Sequence, residues 1–195
     1  MYFRRQRQRG PLATQVCGLV VCLLTTPAAA VEVRQLDIRT EKGSYEVDMV
    51  FSVAAQPAQI ITLLTDYGYP DRLNPEVTAK EILAERDGST RVRTEFRGCA
   101  VFLCKDLALV QDVAVTATTI TADVVPGLGD FSSGRLEWHI SANGVGGTDV
   151  EFSANMNYEF FVVPVFGQLM LRKRLKDNLL RTAENLETEA SRLAD

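Results

Sequence analysis

Apolar and polar positions alternate along most of residues 44–158, which is the pattern of β-strands with one dry face and one wet face. The clearest example is Tyr45–Val53, in which Tyr45, Met49 and Phe51 share one face and the acidic residues the other. Similar alternation, interrupted by turn residues, predicts further strands at Val77–Ala84, Thr90–Arg97, Lys105–Val115, Thr118–Val125, Ser133–Ile140 and Val150–Tyr158. Strands of this kind form an antiparallel sheet.

Two stretches have helical periodicity instead. One begins near Pro57, a residue that the first turn of a helix tolerates, and the other covers residues 165–193 with leucines at helical spacing. Between the first helix and the strands, the segment Tyr67–Pro75 predicts a turn and a second short helix. The order of elements predicts an α+β fold in which an antiparallel sheet curves around a long C-terminal helix.

The first thirty residues have the pattern of a secretory signal peptide. Four arginines within residues 1–9 precede an apolar core at Leu12–Leu24, and Ala28, Ala29 and Ala30 end it with small residues. The apolar core is shorter than the roughly 20 residues that a transmembrane helix needs. We therefore expect cleavage after Ala30 and export, with the periplasm as the expected location.

Removal of residues 1–30 leaves 195 − 30 = 165 residues, the size of one domain. Residues 31–43 are expected to be an N-terminal extension or edge strand, and residues 44–193 the domain itself. Four of the 21 basic residues leave with the signal and no acidic residue does, so the mature net charge is 17 − 25 = −8. An acidic exported domain is a poor partner for nucleic acid.

Two of the four cysteines remain after cleavage, Cys99 and Cys104. An oxidising compartment favours a disulfide between them. Residues five apart in a straight strand point to opposite faces, so this bond requires a hairpin with its tip at residues 100–103. Free buried thiols are the alternative. Two cysteines and one distant histidine do not complete a metal site, and no metal or cofactor is expected.

The candidates for acid–base chemistry are few. His139 is the single histidine, and alternation places it opposite Leu136 and Trp138, on the wet face of its strand. The charged residues Arg91–Arg97 are interpreted as another solvated strand face. We therefore assign no catalytic residue, although His139 or a carboxylate such as Asp112 inside a cavity would favour an enzyme.

The segment Leu63–Val77, the late strands with Gly134–Trp138 and Gly147–Phe152, and the terminal amphipathic helix resemble the START-like (SRPBCC) superfamily. The chain looks most like its polyketide cyclase/dehydrase and coenzyme Q-binding-protein-like branch. The resemblance covers about residues 44–192 and implies a helix-grip fold. It also implies a cavity for lipids, quinones, sterols or polyketides between the sheet and the helix.

That cavity would be lined by large side chains on the dry strand faces: Tyr45, Met49, Phe51, Trp138, Phe152, Met156 and Tyr158. Packing of the same side chains into a filled core is the alternative, because periodicity does not distinguish the two. Two apolar runs, Ala100–Leu103 and Phe160–Phe166, are expected to be buried. Their alternative is a lid or membrane contact made by Val101, Phe102, Leu103, Phe160 and Phe161. A lid at Gly127–Ser133 is a further hypothesis.

The sequence thus predicts an exported binding or transport protein for a hydrophobic small molecule or lipid, with possible transient membrane contact. One alternative is a cyclase- or dehydratase-type enzyme with an apolar substrate. Another is an envelope protein-interaction module with a filled core. The sequence leaves the oligomeric state open.

Overall fold

The computed structural model describes residues 31–100, 103–162 and 166–194. Ten elements follow one another in these ranges: β1 (Glu32–Glu41), β2 (Ser44–Val53), α1 (Pro57–Leu64), β3 (Val77–Arg86), β4 (Ser89–Ala100), β5 (Leu103–Val115), β6 (Thr119–Val124), β7 (Phe131–Ala142), β8 (Thr148–Tyr158) and α2 (Phe166–Ala194). All predicted strands and both main helices are present. The expected signal peptide at residues 1–30 lies outside the described residues.

The eight strands form one antiparallel sheet in the order β1-β2-β8-β7-β6-β5-β4-β3. The sheet is curved and open, and with the long C-terminal helix it confirms the α+β helix-grip fold. Strands that follow one another in the sequence pair with each other, except that β2 pairs with β8. These two are the first and last strands within residues 44–192, the range of the resemblance. Pairing over ten residues on each side of the β2–β8 junction holds the two ends of the domain together.

Residues 31–43 form an edge strand rather than an irregular extension. Strand β1 pairs with β2 from Glu32 to Glu41, and Gly43 completes the tight turn between them with a φ of 85° that favours glycine. Helix α2 packs against β1 as well as β2. The strand that follows the expected cleavage position therefore extends the surface on which the helix rests.

Helix α1 begins at Pro57, with a reciprocal capping box between Gln56 and Gln59. Ile60 and Leu63 are its buried side chains. The short second helix predicted within Tyr67–Pro75 is wrong, because residues 65–76 contain turns and no helix. Its conformation is set instead by local bonds in which Asp66 Oδ1 accepts from Gly68 N at 2.9 Å and Asn74 Oδ1 from Glu76 N at 3.0 Å.

Helix α2 is fastened along its length to the turn segment 65–76. Glu76 accepts hydrogen bonds from Arg174 at 2.6 Å and from Asn178 at 2.7 Å. Farther along, Asn185 donates to the carbonyl of Leu73 at 3.0 Å. These bonds fix the distance of the helix from the sheet. None of the helices in the described part of the chain has the length and apolarity to cross a bilayer.

Candidate functional site

The concave face of the sheet, here called the inner face, is covered unequally. Helix α2 packs closely on β1, β2 and α1, and the inner-face residues of β2 from Val47 to Val53 are almost completely buried. Across the sheet, inner-face side chains of β4, β5 and β7 remain partly exposed: Phe96, Leu109, Leu136 and Trp138. Other inner-face side chains of these strands are buried, among them Val92, Ile120 and Ile140, and α1 packs on β7. The inner face of β4–β7 is therefore only less completely covered than that of β2; we call it the uncovered half, and it is the candidate site.

All seven side chains predicted to line a cavity lie on the inner face. Five of them are buried: Met49, Phe51, Phe152, Met156 and Tyr158. Tyr45 and Trp138 are partly exposed. Trp138 lies on β7, opposite Ile120 of β6 and Phe152 of β8, and so stands at the boundary between the covered half and the uncovered half.

Aromatic rings form a continuous row across one end of the inner face. The ring of Tyr158 stacks on those of Tyr45 and Phe160, with centroids 6.4 and 4.4 Å away. Phe131 continues the row, 5.6 Å from Phe160 and 6.1 Å from Phe96. Desolvation, and to a smaller extent the charge of the neighbouring Tyr158, raises the pKa of the Tyr45 phenol. This row closes the end of the site with apolar surface.

Just beyond the row, the chain exposes large apolar side chains where β8 leads into α2. Phe161 is 82% exposed, Phe166 72% and Leu169 68%. Burial of the whole run Phe160–Phe166, as expected from the sequence, is therefore wrong for Phe161 and Phe166. Phe160 turns inward, where the ring of Tyr158 stacks on it and the ring of Phe131 meets it edge-to-face. We call Phe161, Phe166 and Leu169 the junction patch.

The other predicted lid or membrane-contact residues lie on the β4–β5 hairpin. Leu103 is the first residue of β5 and pairs with Ala100, whereas Val101 and Phe102 lie outside the described residues. Cys99 lies directly opposite Cys104 in the same register. Facing positions of antiparallel strands lie about 4.5–5.5 Å apart at Cα, within the range that a disulfide spans. The backbone geometry at these two positions is therefore suitable for the predicted disulfide.

The loop between β6 and β7 is fastened to β5. Asp130 N donates to the Ala108 carbonyl at 2.8 Å, and Asp130 Oδ2 accepts from Ala108 N at 2.9 Å. Lys105 Nζ reaches Asp130 Oδ1 at 2.7 Å. A side chain at Gly129 would collide with the carbonyl of Ala108. These contacts argue against the lid hypothesised at Gly127–Ser133.

Sequence reasoning missed a polar group on the inner face. Lys80 of β3 pairs with Thr94 of β4, which lies on the same strand face as Phe96. On the next strand, Gln111 is 8% exposed and lies opposite Val92 and Val124. Register shifts at Val77/Ala79 and Ile82/Ala84 break the alternation of β3, so the sequence pattern did not indicate which way Lys80 points. Lys80, Thr94 and Gln111 are here called the polar corner.

The groups weighed for acid–base chemistry lie on the other side of the sheet. His139 is exposed, with Nε2 3.1 Å from Glu137 Oε1. Asp112 accepts from Arg91 Nε and Nη2, both at 2.7 Å. Arg97 is likewise paired across strands, with Asp106, whereas Arg93 pairs with Glu95 of its own strand. His139 and Asp112 therefore both lie outside the candidate site.

Two open depressions also lie on this outer face. The first, of about 240 Å³, is bordered by Glu46, Arg135 and Asn155. The second, of about 210 Å³, is bordered by Gln35, His139 and Glu151. Their polar borders are unsuited to an apolar ligand.

Comparison with known proteins agrees with this geometry. Residues 44–191 match the family model described as polyketide cyclase/dehydrase and lipid transport. The matched range begins at β2 and so excludes the added strand β1. No curated protein matches the sequence.

Solved structures share the fold at low sequence identity. An aromatase/cyclase from Streptomyces sp. R1128 has a TM-score of 0.64 at 18% identity, with 78% of this chain and 96% of that chain covered. A START superfamily protein from Mycobacterium smegmatis gives 0.59 at 21%, covering 76% and 98%. A STAR-related lipid transfer protein from Xanthomonas axonopodis gives 0.59 at 13%, covering 84% and 99%.

Proposed function

This chain belongs to the polyketide cyclase/dehydrase and lipid transport family, and we propose that it is an exported protein that binds and carries an apolar small molecule or lipid. The ligand is held without covalent chemistry on the uncovered half of the inner face, beside the half that α2 covers. The observation that carries this proposal is the partial exposure of Phe96, Leu109, Leu136 and Trp138 on a concave face. Apolar side chains in such a position gain free energy when a ligand removes them from water.

This gain in free energy favours a bound ligand over an inner face that stays in contact with water. Each square ångström of apolar surface removed from water contributes about 25 cal/mol. The ligand's loss of freedom and the ordering of side chains offset part of this. The net gain therefore grows with the apolar area that the ligand and these side chains bury together.

Export is supported by the signal-peptide pattern of residues 1–30 and by the facing positions of Cys99 and Cys104. We propose that cleavage after Ala30 leaves a mature chain whose second residue starts β1. The terminal residue of the exported form checks this directly. Intact mass and N-terminal sequencing of envelope material should give Val31, and an unprocessed chain retained in the cytoplasm would contradict export.

Transient contact with a membrane is supported by the junction patch, whose three large apolar side chains are exposed and follow Phe160 of the aromatic row in the sequence. In water such a patch is unfavourable unless something covers it. A bilayer would cover it and would bring the ligand source to the end of the site.

Native mass spectrometry and organic extraction of the mature protein test the proposed function. A lipid, quinone or sterol that co-purifies at near-stoichiometric level would support the carrier and identify its ligand class. An empty protein that also fails to take up a neutral apolar fluorophore would overturn it. That outcome would favour a protein-interaction module with a filled core, or an enzyme whose substrate does not stay bound.

A further inference from the structure

Lys80 is a cation on the inner face of the sheet. Its register opposite Thr94 turns it toward the concave side, and the ring of Tyr67, from the segment after α1, lies 5.9 Å from its Nζ. Tyr67 packs against the hydrophobic core. The ammonium group is therefore enclosed by the sheet on one side and by the α1–β3 connection on the other.

The neighbouring carboxylate is already engaged. Asp66 Oδ2 accepts a hydrogen bond from Arg72 at 2.9 Å, and Asp66 Oδ1 accepts from Gly68 N at 2.9 Å. Arg72 in turn reaches Glu189 of α2 at 3.4 Å. Lys80 makes no ion pair within 4.0 Å among the described residues. Burial lowers the pKa of Lys80, and the more distant charge of Asp66 offsets this in part. An enclosed cation without a close counter-ion is costly unless another anion arrives.

The other members of the polar corner also have spare hydrogen-bonding capacity. The hydroxyl of Thr94 makes no hydrogen bond to the rest of the described chain, whereas Gln111 Nε2 makes one long bond, at 3.4 Å, to the Ala122 carbonyl. That leaves the second amide hydrogen of Gln111 as a donor. Thr94 lies directly opposite Lys80, and Gln111 lies diagonally beside Thr94 on the next strand.

We propose that the polar corner binds the carboxylate of an amphipathic monocarboxylate, such as a fatty acid, whose apolar body lies along the uncovered inner face toward Trp138. This proposal rests on the proposed function, because it names the ligand class of the same site. One enclosed cation matches one negative charge. A phosphate monoester would bring a second charge that the corner does not balance.

The dimensions of the sheet fit such a ligand. From Lys80 on β3 to Trp138 on β7 there are four strand spacings, roughly 19 Å along the sheet. Leu109 on β5 and Leu136, which neighbours Trp138 on β7, are partly exposed, whereas the inner-face side chains of β6 between them are buried. The polar corner therefore marks the position of the ligand's charged group, and Trp138 marks the far end of its apolar body.

Competition between matched ligands tests the proposal. The mature protein is loaded with the neutral fluorophore N-phenyl-1-naphthylamine at neutral pH, and dodecanoate or 1-dodecanol is added to displace it. We expect dodecanoate to bind about tenfold more tightly than the alcohol, as a charge-assisted contact allows. Lys80→Met should abolish this preference, Lys80→Arg should retain most of it, and Thr94→Val should reduce it. Lys176→Met, which removes an exposed charge from α2, is the matched control and should leave it unchanged.

The outcomes separate the two proposals. If the protein takes up no fluorophore, it has no apolar binding site, and the proposed function itself is overturned. A protein that takes up the fluorophore but releases it equally to acid and alcohol would overturn the carboxylate site while leaving the carrier intact. Equal loss of preference in Lys80→Met and Lys176→Met would also overturn it, because the effect would then come from overall charge. Fluorophore affinity in each variant shows that the fold is retained.

Discussion

The indole of Trp138 packs over the ring of Phe152, with centroids 4.3 Å apart and planes at 39°. Phe152 is buried, whereas Trp138 is partly exposed on the same inner face. The chain contains one tryptophan, so its fluorescence reports on this boundary of the site alone. We expect a bound apolar ligand to shift Trp138 emission to the blue and to reduce its quenching by acrylamide, since the ligand replaces water at the ring.

Titration with dodecanoate provides the measurement, and Trp138→Phe should eliminate the signal while retaining binding by displacement. Stoichiometric binding with unchanged emission and unchanged quenching would contradict the prediction. The ligand would then lie away from β7.

Gly134 of β7 lies close to the backbone and side chains of β8. A Cβ at this position would be 2.5 Å from Met156 Sδ and 2.7 Å from the carbonyl of Asn155. Met156 is completely buried, so the strands must separate to accept it. We expect Gly134→Ala to lower the free energy of unfolding by about 1–3 kcal/mol in urea denaturation, because the alanine is overpacked and also has to adopt a φ of 155° that L side chains rarely adopt.

Gly144 supplies the matched control for this substitution, because a Cβ there meets open space. We expect Gly144→Ala to change stability by less than about 0.5 kcal/mol. Equal effects of the two substitutions would indicate that glycine matters here for chain flexibility rather than for the close approach of β7 and β8.

Most of the fold could be predicted from the sequence because one face of each strand is buried. Alternation at Tyr45–Val53 fixed which side chains point inward, and the structure pairs this strand with β8 over its whole length. The same reasoning placed His139 on the outer face correctly. The short helix within Tyr67–Pro75 was wrong, because Asp66 and Asn74 bond to nearby backbone and stabilise turns instead.

The candidate site was harder to predict, because its polar residue Lys80 departs from the alternation of inward and outward side chains. Lys80 points inward because β3 contains register shifts, which single-strand periodicity does not reveal. The seven predicted cavity side chains share the inner face, but whether an inner-face residue is covered depends on where α2 lies. That position is set by distant contacts, such as Glu76 with Arg174, and it leaves Phe161 exposed while Phe160 is stacked.

The facing positions of Cys99 and Cys104 at the end of the β4–β5 hairpin predict a disulfide that closes a very short loop. A loop of this size constrains the unfolded chain little, so the bond should stabilise the protein by about 2 kcal/mol. Denaturation with and without reductant should show this difference. In the Cys99→Ala/Cys104→Ala variant, reductant should have no effect, and two titratable thiols in the exported protein would contradict the bond.

The Arg91–Asp112 pair predicts a defined pH dependence of stability. Its bidentate hydrogen bonds, made by Arg91, hold the pKa of Asp112 below its usual range. A carboxylate with a lowered folded pKa stabilises above the unfolded value of about 3.9, and this contribution is lost as the pH falls through the folded pKa. Asp112→Asn should therefore destabilise the protein at neutral pH, and the difference from wild type should vanish in acid.

Urea denaturation at neutral and acidic pH measures this difference. Asp106→Asn is the control, because Asp106 is more exposed and lies 3.5 Å from Arg97. Its effect should be smaller at every pH. A difference for Asp112→Asn that persists undiminished in strong acid would show that the substitution acts by packing rather than by charge.

The junction patch predicts membrane binding that depends on apolar contact. Phe161, Phe166 and Leu169 lie within nine residues of one another at the β8–α2 junction, and insertion of each large side chain into a bilayer contributes up to about 1.5–3 kcal/mol. Replacing all three by alanine should reduce co-sedimentation with phosphatidylcholine vesicles at least about tenfold. Because residues 31–195 carry a net charge of 17 − 25 = −8, added salt should not weaken the binding, as it would if basic residues made the contact. Val145→Ala removes a side chain that is 92% exposed in the β7–β8 turn, at the opposite end of β8 from the patch, and should have no effect.

If the triple variant binds vesicles as wild type does, the patch is covered by something other than a bilayer. Salt-sensitive binding would show instead that charged surface drives the contact.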